Sequence, residues 1–482
     1  MQRKRRLRPI PMTIAAALSA AAVLLASCAG GAKPAATQPQ AAQPPTAQTQ
    51  EEKKMAALQN ADTLLQSGKA DEAAAKIGEV AAAQPSSSDL RLLKAAALAS
   101  AGKLPEARAE TDAVLQMDPQ NAKGLVMAAN LARFAGDEKA RKAYLDRGIA
   151  AAPADAGVLT AWGEYYMDAK NYKGAEDCFR RALAADAKNP DAALGLGQSL
   201  YRQARYPEAE TALDQAVALD PGSPFPYSDR SKVRYQRGEY KESLADLDTA
   251  IGLAPDSSWL YLDRGRMLMD SGRLDDAVAD FTKAIAMEPG YFLPYAYRAG
   301  IYERQGKDDA AFADYTSILS VQPDYWYAYE SLGAVTFRLA RWSEAADNFR
   351  QAYSHQTDNC QYAILASLAF LRAGKVNDAR AFAGSVAPVI DRDKKGIYWL
   401  MLRLIQDQSD MSSELEGKIQ SEKSLDTKAA MLFYLGEYWI GRGRPELGLK
   451  YLTLSRDMKR VECLEYRLVV PELARLGAGA NG

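Results

Sequence analysis

Few residues in this chain could do chemistry. Of 482 residues, one is histidine, His355, and four are cysteine: Cys28, Cys178, Cys360 and Cys463. One imidazole excludes zinc sites with two or three histidine ligands and any HExxH peptidase motif, and it leaves a single candidate for histidine acid–base catalysis. His355 follows Ser354, but a Ser–His pair without a buried acid and an oxyanion hole cannot activate the serine, so it reads as a solvated turn residue. No GxxxxGK[ST] segment occurs, and the GxGxxG spelled by Gly477 to Gly482 has no following helix to receive a pyrophosphate. The 61 acidic residues could supply carboxylate-only glycan chemistry, although acidic groups on a repeated surface are ordinarily a solvated face. No catalytic residue, metal ligand or cofactor is assigned.

Cys28 differs, because its surroundings prescribe a reaction. Arg3, Lys4, Arg5, Arg6 and Arg8 form a basic start, Met12 to Leu25 is an apolar run, and small residues precede the cysteine. These are the parts of a secretory signal. As a spanning helix the run is short of the ~20 residues that a bilayer core needs, and Pro9 and Pro11 fall where helix would begin. Leu25-Ala26-Ser27-Cys28 resembles the bacterial lipobox. The resemblance implies a signal peptide at 1–27, lipidation of the Cys28 sulfur and acylation of the new amino terminus, with several acyl chains giving stable anchoring. Ala29 stands where an aspartate would resemble an inner-membrane retention signal, which points to the outer membrane, facing the periplasm. Residues 29–50 hold seven Ala, five Gln and four Pro, so 28–52 reads as the lipidated cysteine plus a disordered linker spanning roughly 25 Å. Without the signal, 55 basic residues face 61 acidic ones, a net charge of −6 that does not suit nucleic acid.

Behind this address the chain repeats. Segments starting at 54, 88, 122, 156, 190, 224, 258, 292, 326 and 360 keep a constant period of 34 residues. Position 8 is Ala61, Ala95, Ala129, Gly163, Gly197, Ser231, Gly265, Ala299, Gly333 and Ser367, small in all ten. Position 20 is small in nine of the ten, the exception being Arg141. Antiparallel helices approach to about 8–10 Å only where the side chains at their crossing permit it, and one small residue on each helix provides that crossing. Glycine holds position 15 in seven repeats, where a helix must end in a left-handed turn. Proline holds position 32 in seven, where a second helix stops. Trp162, Tyr166, Tyr172 and Phe179 are among the larger residues filling the faces between.

This order resembles the tetratricopeptide repeat (TPR), a 34-residue helix–turn–helix unit. The resemblance runs over about 54–460 and is closest in repeats 6 to 8, which open with Tyr227-Ser-Asp-Arg230, Tyr261-Leu-Asp-Arg264 and Tyr295-Ala-Tyr-Arg298. It implies an all-α fold, a right-handed α-solenoid of about twelve TPR-type helix pairs with a C-terminal capping helix and no internal boundary. The expected segments are repeats 1–10 at 53–391, a degenerate pair at 392–428, a further repeat at 429–460, a capping helix at 461–476 broken near Pro471, and a tail at 477–482. Ile397 to Leu404 reads as helix, Ser412 to Lys423 is too polar to place, and Arg141 predicts a shifted second helix in repeat 3. Cys178, Cys360 and Cys463 lie in different repeats, beyond the ~7 Å disulfide limit, and read as small core residues.

In TPR arrays the first helices line a concave face, with positions 2, 5, 9 and 12 pointing into it. That rule selects Phe225, Tyr235, Trp259, Arg266, Tyr327, Glu330 and Phe337 as a partner-binding groove, joined by Lys232 and Glu303. Aromatic rings provide contact area and charges set register, which suits an extended peptide or a partner's helix. The TPR carboxylate clamp is not evident, since Asn130 has Val126 rather than lysine four residues earlier. The function expected is a noncatalytic, lipid-anchored scaffold or adaptor binding proteins or peptides of a bacterial envelope assembly. It would touch the membrane through its lipid, use no cofactor, metal or nucleic acid, and specify no oligomeric state. Two alternatives stand: a periplasmic component delivering a small molecule to a transporter, which needs a closed apolar pocket, and a carboxylate-only glycan enzyme, which needs two buried carboxylates across a cleft.

Two outcomes follow from the cysteines. Cys28→Ser is expected to abolish lipid labelling and accumulate unprocessed precursor; normal maturation and membrane retention would contradict the anchor. Thiol titration of the denatured mature monomer is expected to find three free thiols, and fewer would mean a disulfide.

Overall fold

A computed structural model describes residues 45–407 and 411–477, so the basic start, Cys28 and most of the linker lie outside the described residues. Among the described residues there are 25 α-helices, one 3-10 turn at Ala387–Val389 and no strand. Helices follow one another as antiparallel pairs, each packed on the next, which is the all-α solenoid arrangement. Against the expectation of an unbroken array, the chain divides into two compact units between Leu253 and Ala254.

The first unit holds repeats 1 to 6. Its opening helix is Pro45–Gln66, so helix begins inside the segment read as linker. Proline suits a first helical position, where its missing N–H has no partner to lose. From Ser88–Ser100 and Leu104–Met117 onward, every pair in this unit places its helices at positions 1–13 and 17–30. In repeats 2 to 5 the start of the first helix is fixed by a cap just before it. Ser87, Asn121, Asp155 and Asn189 accept the backbone N–H of Leu90, Gly124, Val158 and Ala192. Each cap supplies about 1 kcal/mol by satisfying an amide that the helix leaves unpaired.

The pairs hold together as the small residues predict. Positions 8 and 20 are buried in all ten repeats, Arg141 included. What fills the space opposite position 8 is position 24. A Cβ added to Gly163 would lie 2.5 Å from Phe179, and one added to Gly265 would lie 2.7 Å from Phe281. Gly333 stands in the same relation to Phe349. Each phenylalanine at position 24 thus faces a glycine, whereas Ala61 and Ala129 face the narrower Ile77 and Leu145. All five of these position-24 side chains are buried to within 1%.

Repeat 3 is not shifted. Its second helix, Glu138–Ala151, keeps the common register, and Arg141 stays at position 20 with 2% of its side chain exposed. Its guanidinium pairs with Asp168 at 2.8 Å and Glu138 at 3.4 Å and lies 5.3 Å from the Tyr165 ring centre. A buried cation is tolerated when it is paired, and Asp168 provides the pair from the neighbouring first helix.

The second unit holds repeats 7 to 10 and the helices after them. Arg392–Asp407 is kinked at Lys395, and the polar stretch after it forms the helix Ser412–Ser421 by burying Leu415 and Ile419. Leu425–Gly441 and Pro445–Asp457 rebuild the repeat, with Gly436 against Leu452. The last helix, Leu464–Arg475, is not broken at Pro471, because Leu468, Val469, Glu472 and Leu473 are buried on both sides of it. It also does more than cap the end. It packs on Leu425–Gly441, on Pro445–Asp457 and on Tyr327–Arg338, the first helix of repeat 9.

That packing encloses charge. Glu437 and Glu472 are fully buried, with Arg372 against both and Arg475 against Glu472. Arg372 and Arg475 also lie over the Trp342 ring, at 4.2 and 5.1 Å from its centre. Burial pushes the Glu437 carboxyl up to about 8, with Arg372 opposing and Glu472 adding to the rise. Of the cysteines, Cys178 and Cys360 are core residues, but Cys463 is half-exposed at the start of the last helix. Burial and Asp426 raise its thiol to about 11, away from reactivity.

Position 15 and Glu437 give measurable consequences. Lys170, Ala204 and Ala340 adopt φ of 59°, 58° and 57° where seven repeats have glycine. Ala204→Gly and Ala340→Gly should each raise unfolding free energy by about 0.5–1 kcal/mol, since relief of left-handed strain exceeds glycine's entropy cost. A loss in denaturant titration would contradict this. For Glu437, the folded value exceeds the unfolded one, so its stabilisation is full below about 4.5 and is lost as pH rises through about 8. Wild type minus Glu437→Gln should therefore show stability falling across that window, by at most about 1.4 kcal/mol per pH unit. Parallel pH curves would count against it.

Candidate functional site: the inner faces of the first helices

In the first unit, positions 9 and 12 of successive first helices become neighbours. Arg133, at position 12 of repeat 3, pairs with Glu164, at position 9 of repeat 4, at 3.3 Å and with Asp168 at 3.0 Å. Glu164 keeps 29% of its side chain exposed, yet loss of hydration raises its carboxyl to about 7 against the pull of Arg133. Further along, Gln198 donates to Asp229 at 2.7 Å, and Lys232 pairs with the same carboxylate at 2.9 Å. Phe225, Lys232 and Tyr235 are half-buried on Pro224–Gln236, with Tyr235 edge-on to the exposed Tyr240 at 5.3 Å. Arg133, Glu164 and Gln198 were missed by sequence reasoning, although the same position rule selects them.

In the second unit, Trp259 is half-buried at position 2 of repeat 7, and Arg266 is exposed, 5.6 Å from the Tyr297 ring centre. Tyr327 is 58% exposed and stacks on Trp326 at 3.8 Å, with Tyr325 beside it at 5.7 Å. His355 lies parallel to Trp326 and Tyr329, so the single imidazole is an exposed member of an aromatic group rather than an isolated turn residue.

Glu303, Glu330 and Phe337 are placed differently from an open groove. Phe337 is 1% exposed, packed edge-on to Trp342 at 4.9 Å and in one buried cluster with Leu468, Val469 and Leu473. It is core, set against Trp342 of its own repeat and Phe433 of Leu425–Gly441, rather than a groove residue. Glu303 accepts from Tyr315 at 2.6 Å, pairs with Arg338 at 2.9 Å and faces Arg467 at 3.8 Å. Glu330 accepts from the Tyr362 hydroxyl and faces Arg467 at 3.5 Å. Both acids face Arg467 of the chain's own last helix.

The Tyr-x-x-Arg openings of repeats 6 to 8 hold each pair together. Arg230, Arg264 and Arg298 fork onto Asp246, Asp280 and Asp314 of their own second helices at 2.6–3.0 Å, each beneath the tyrosine three residues before it. Such two-pronged pairs fix geometry as well as charge. They are framework, not recognition.

Among the described residues, no group of three His, Cys, Asp or Glu side chains could hold a metal ion, and no helix is long and apolar enough to cross a membrane. A surface depression of about 630 Å³ is lined by His355 to Gln361 with Lys395 and Tyr398, mostly polar loop residues rather than a closed apolar pocket. Glu437 and Glu472 are two neighbouring buried carboxylates, but with 0% of either side chain exposed they face no cleft that a glycan could enter.

Comparison with known proteins agrees with this architecture. A tetratricopeptide repeat profile matches residues 58–122, 160–224, 229–292 and 262–329. By sequence, no protein of curated function matches the chain. Among solved structures, MamA is 24% identical, over 33% of this chain and 94% of its own, with a TM-score of 0.31. The Cut9–Hcn1 complex of the APC/C is 18% identical, over 67% of this chain and 64% of its own, with a TM-score of 0.48. YrrB, described as a TPR protein with an unusual peptide-binding site, is 21% identical over 38% of this chain and 95% of its own, with a TM-score of 0.31. Over those matched segments the chain carries tetratricopeptide repeats.

Proposed function

We propose that the chain is a lipid-anchored TPR scaffold or adaptor of a bacterial envelope, fixed through Cys28 to the outer membrane and facing the periplasm. It binds protein or peptide partners of an envelope assembly along the inner faces of its first helices. The observation that carries this reading is the set of part-exposed aromatic and charged residues on those helices. Phe225, Lys232 and Tyr235 offer it in the first unit, and Trp259, Arg266 and Tyr327 in the second. Rings with few rotatable bonds beside charges are the composition of contact surfaces that bind peptides. The anchor and the periplasmic address rest on the Leu25-to-Cys28 segment, and the linker after it would let the repeats reach partners away from the lipid surface.

Photocrosslinking in living cells tests the reading. A crosslinkable residue at Tyr235, and separately at Trp259, should capture a discrete protein, while one at exposed Lys283 on a second helix should not. Equal capture from Lys283 would contradict binding through the first helices.

A further inference from the structure

Resting on the reading that first helices bind partners, a more specific device is visible in the second unit. The last helix, Leu464–Arg475, returns to the first helices of repeats 8 and 9, more than 130 residues earlier in the chain. Its buried face is Leu468, Val469 and Leu473. Arg467 and Arg475, eight residues apart and so on one side of a helix, address the receiving surface. Arg467 faces Glu303 and Glu330, and Arg475 donates to the Arg338 carbonyl. An amphipathic helix laid on a groove and read by spaced basic residues is a common mode of protein recognition. Here the chain performs it on itself.

We propose that the last helix is a releasable occupant of this inner face, seated where a partner's arginine-bearing amphipathic helix binds. The seat is firm at some contacts and weak at others. Glu472 is held in a buried pair by Arg372 at 2.7 Å, and Glu465 accepts from the buried Tyr434 hydroxyl, so release gives up these pairs while returning both carboxylates to water. Arg467 is 44% exposed and its two pairs are 3.5 and 3.8 Å long, distances at which solvent-exposed ions attract only weakly. Pro471 removes a backbone hydrogen bond from the middle of the helix, which lowers its stability alone. A competing helix without an internal proline, making the same acid–arginine contacts, would hold the surface more firmly. Release would free Glu303 and Glu330 from Arg467 together.

Hydrogen exchange on the wild-type full chain is the first test. Amides of 464–475 should exchange at least tenfold faster than those of Leu425–Gly441, the helix it packs on. Equal protection would overturn the proposal and make the last helix a permanent cap. The second test uses a fluorescent peptide of residues 461–477. Arg467→Glu should bind it at least tenfold more tightly than wild type, and adding Glu330→Lys should reverse that gain. Indistinguishable binding by wild type and Arg467→Glu would overturn it. If Arg467→Glu fails to fold, exchange on the wild type decides alone. Neither readout depends on capture at Tyr235 in the first unit, so the broader reading stands or falls separately.

Discussion

Everything this chain presents to a partner depends on how closely two helices of one repeat can approach. The approach is set by position 8, and a methyl group there would strike the ring at position 24 in three repeats. Close-packed interiors do not absorb such an overlap cheaply; overpacking costs about 1–3 kcal/mol. The crossing uses one face of each first helix. Positions 2, 5, 9 and 12 flank it, so the pattern that builds the fold also limits which side chains stay part-exposed.

Charge then differentiates the faces. In the first unit, acids and bases bridge from one first helix to the next, as in Arg133 with Glu164 and Asp168. In the second unit, comparable acids are engaged by the last helix, whose Glu472 and Arg475 also join Arg372 and Glu437 in a largely buried charge cluster. These buried groups resemble a catalytic pair only in composition. A carboxylate must reach solvent-borne substrate to act, and these do not.

The fold was legible because its signals recur. Small residues at position 8, glycine at 15 and proline at 32 each report a local constraint, and ten repetitions separate them from accident. What escaped was non-local. Arg141 is acceptable only because Asp168 and Tyr165, a repeat away, supply its charge partner and ring. Ser412–Ser421 becomes a helix through two buried residues, Leu415 and Ile419, too few to mark a period. Pro471 stays within its helix because tertiary contacts hold both sides. Of the site, the position rule named Glu303 and Glu330 without their contacts. No local signal shows that Arg467 would return to cover them, since such a contact depends on how the array turns. The left-handed Ala204 and Ala340 also show that the turn is imposed by the pair, with glycine only its most comfortable occupant.

The crossing is the central physical claim, and a double-mutant cycle measures it most directly. Gly265→Ala should destabilise the chain by forcing a methyl against Phe281, and Phe281→Leu should destabilise it by leaving a void. Combined, the methyl occupies space that the ring vacated, as the pairing of Ala129 with Leu145 already does. The account predicts a double mutant more stable than the sum of its singles by about 1 kcal/mol or more in denaturant titration. Strict additivity would contradict it, because the two positions would then not be sharing one space.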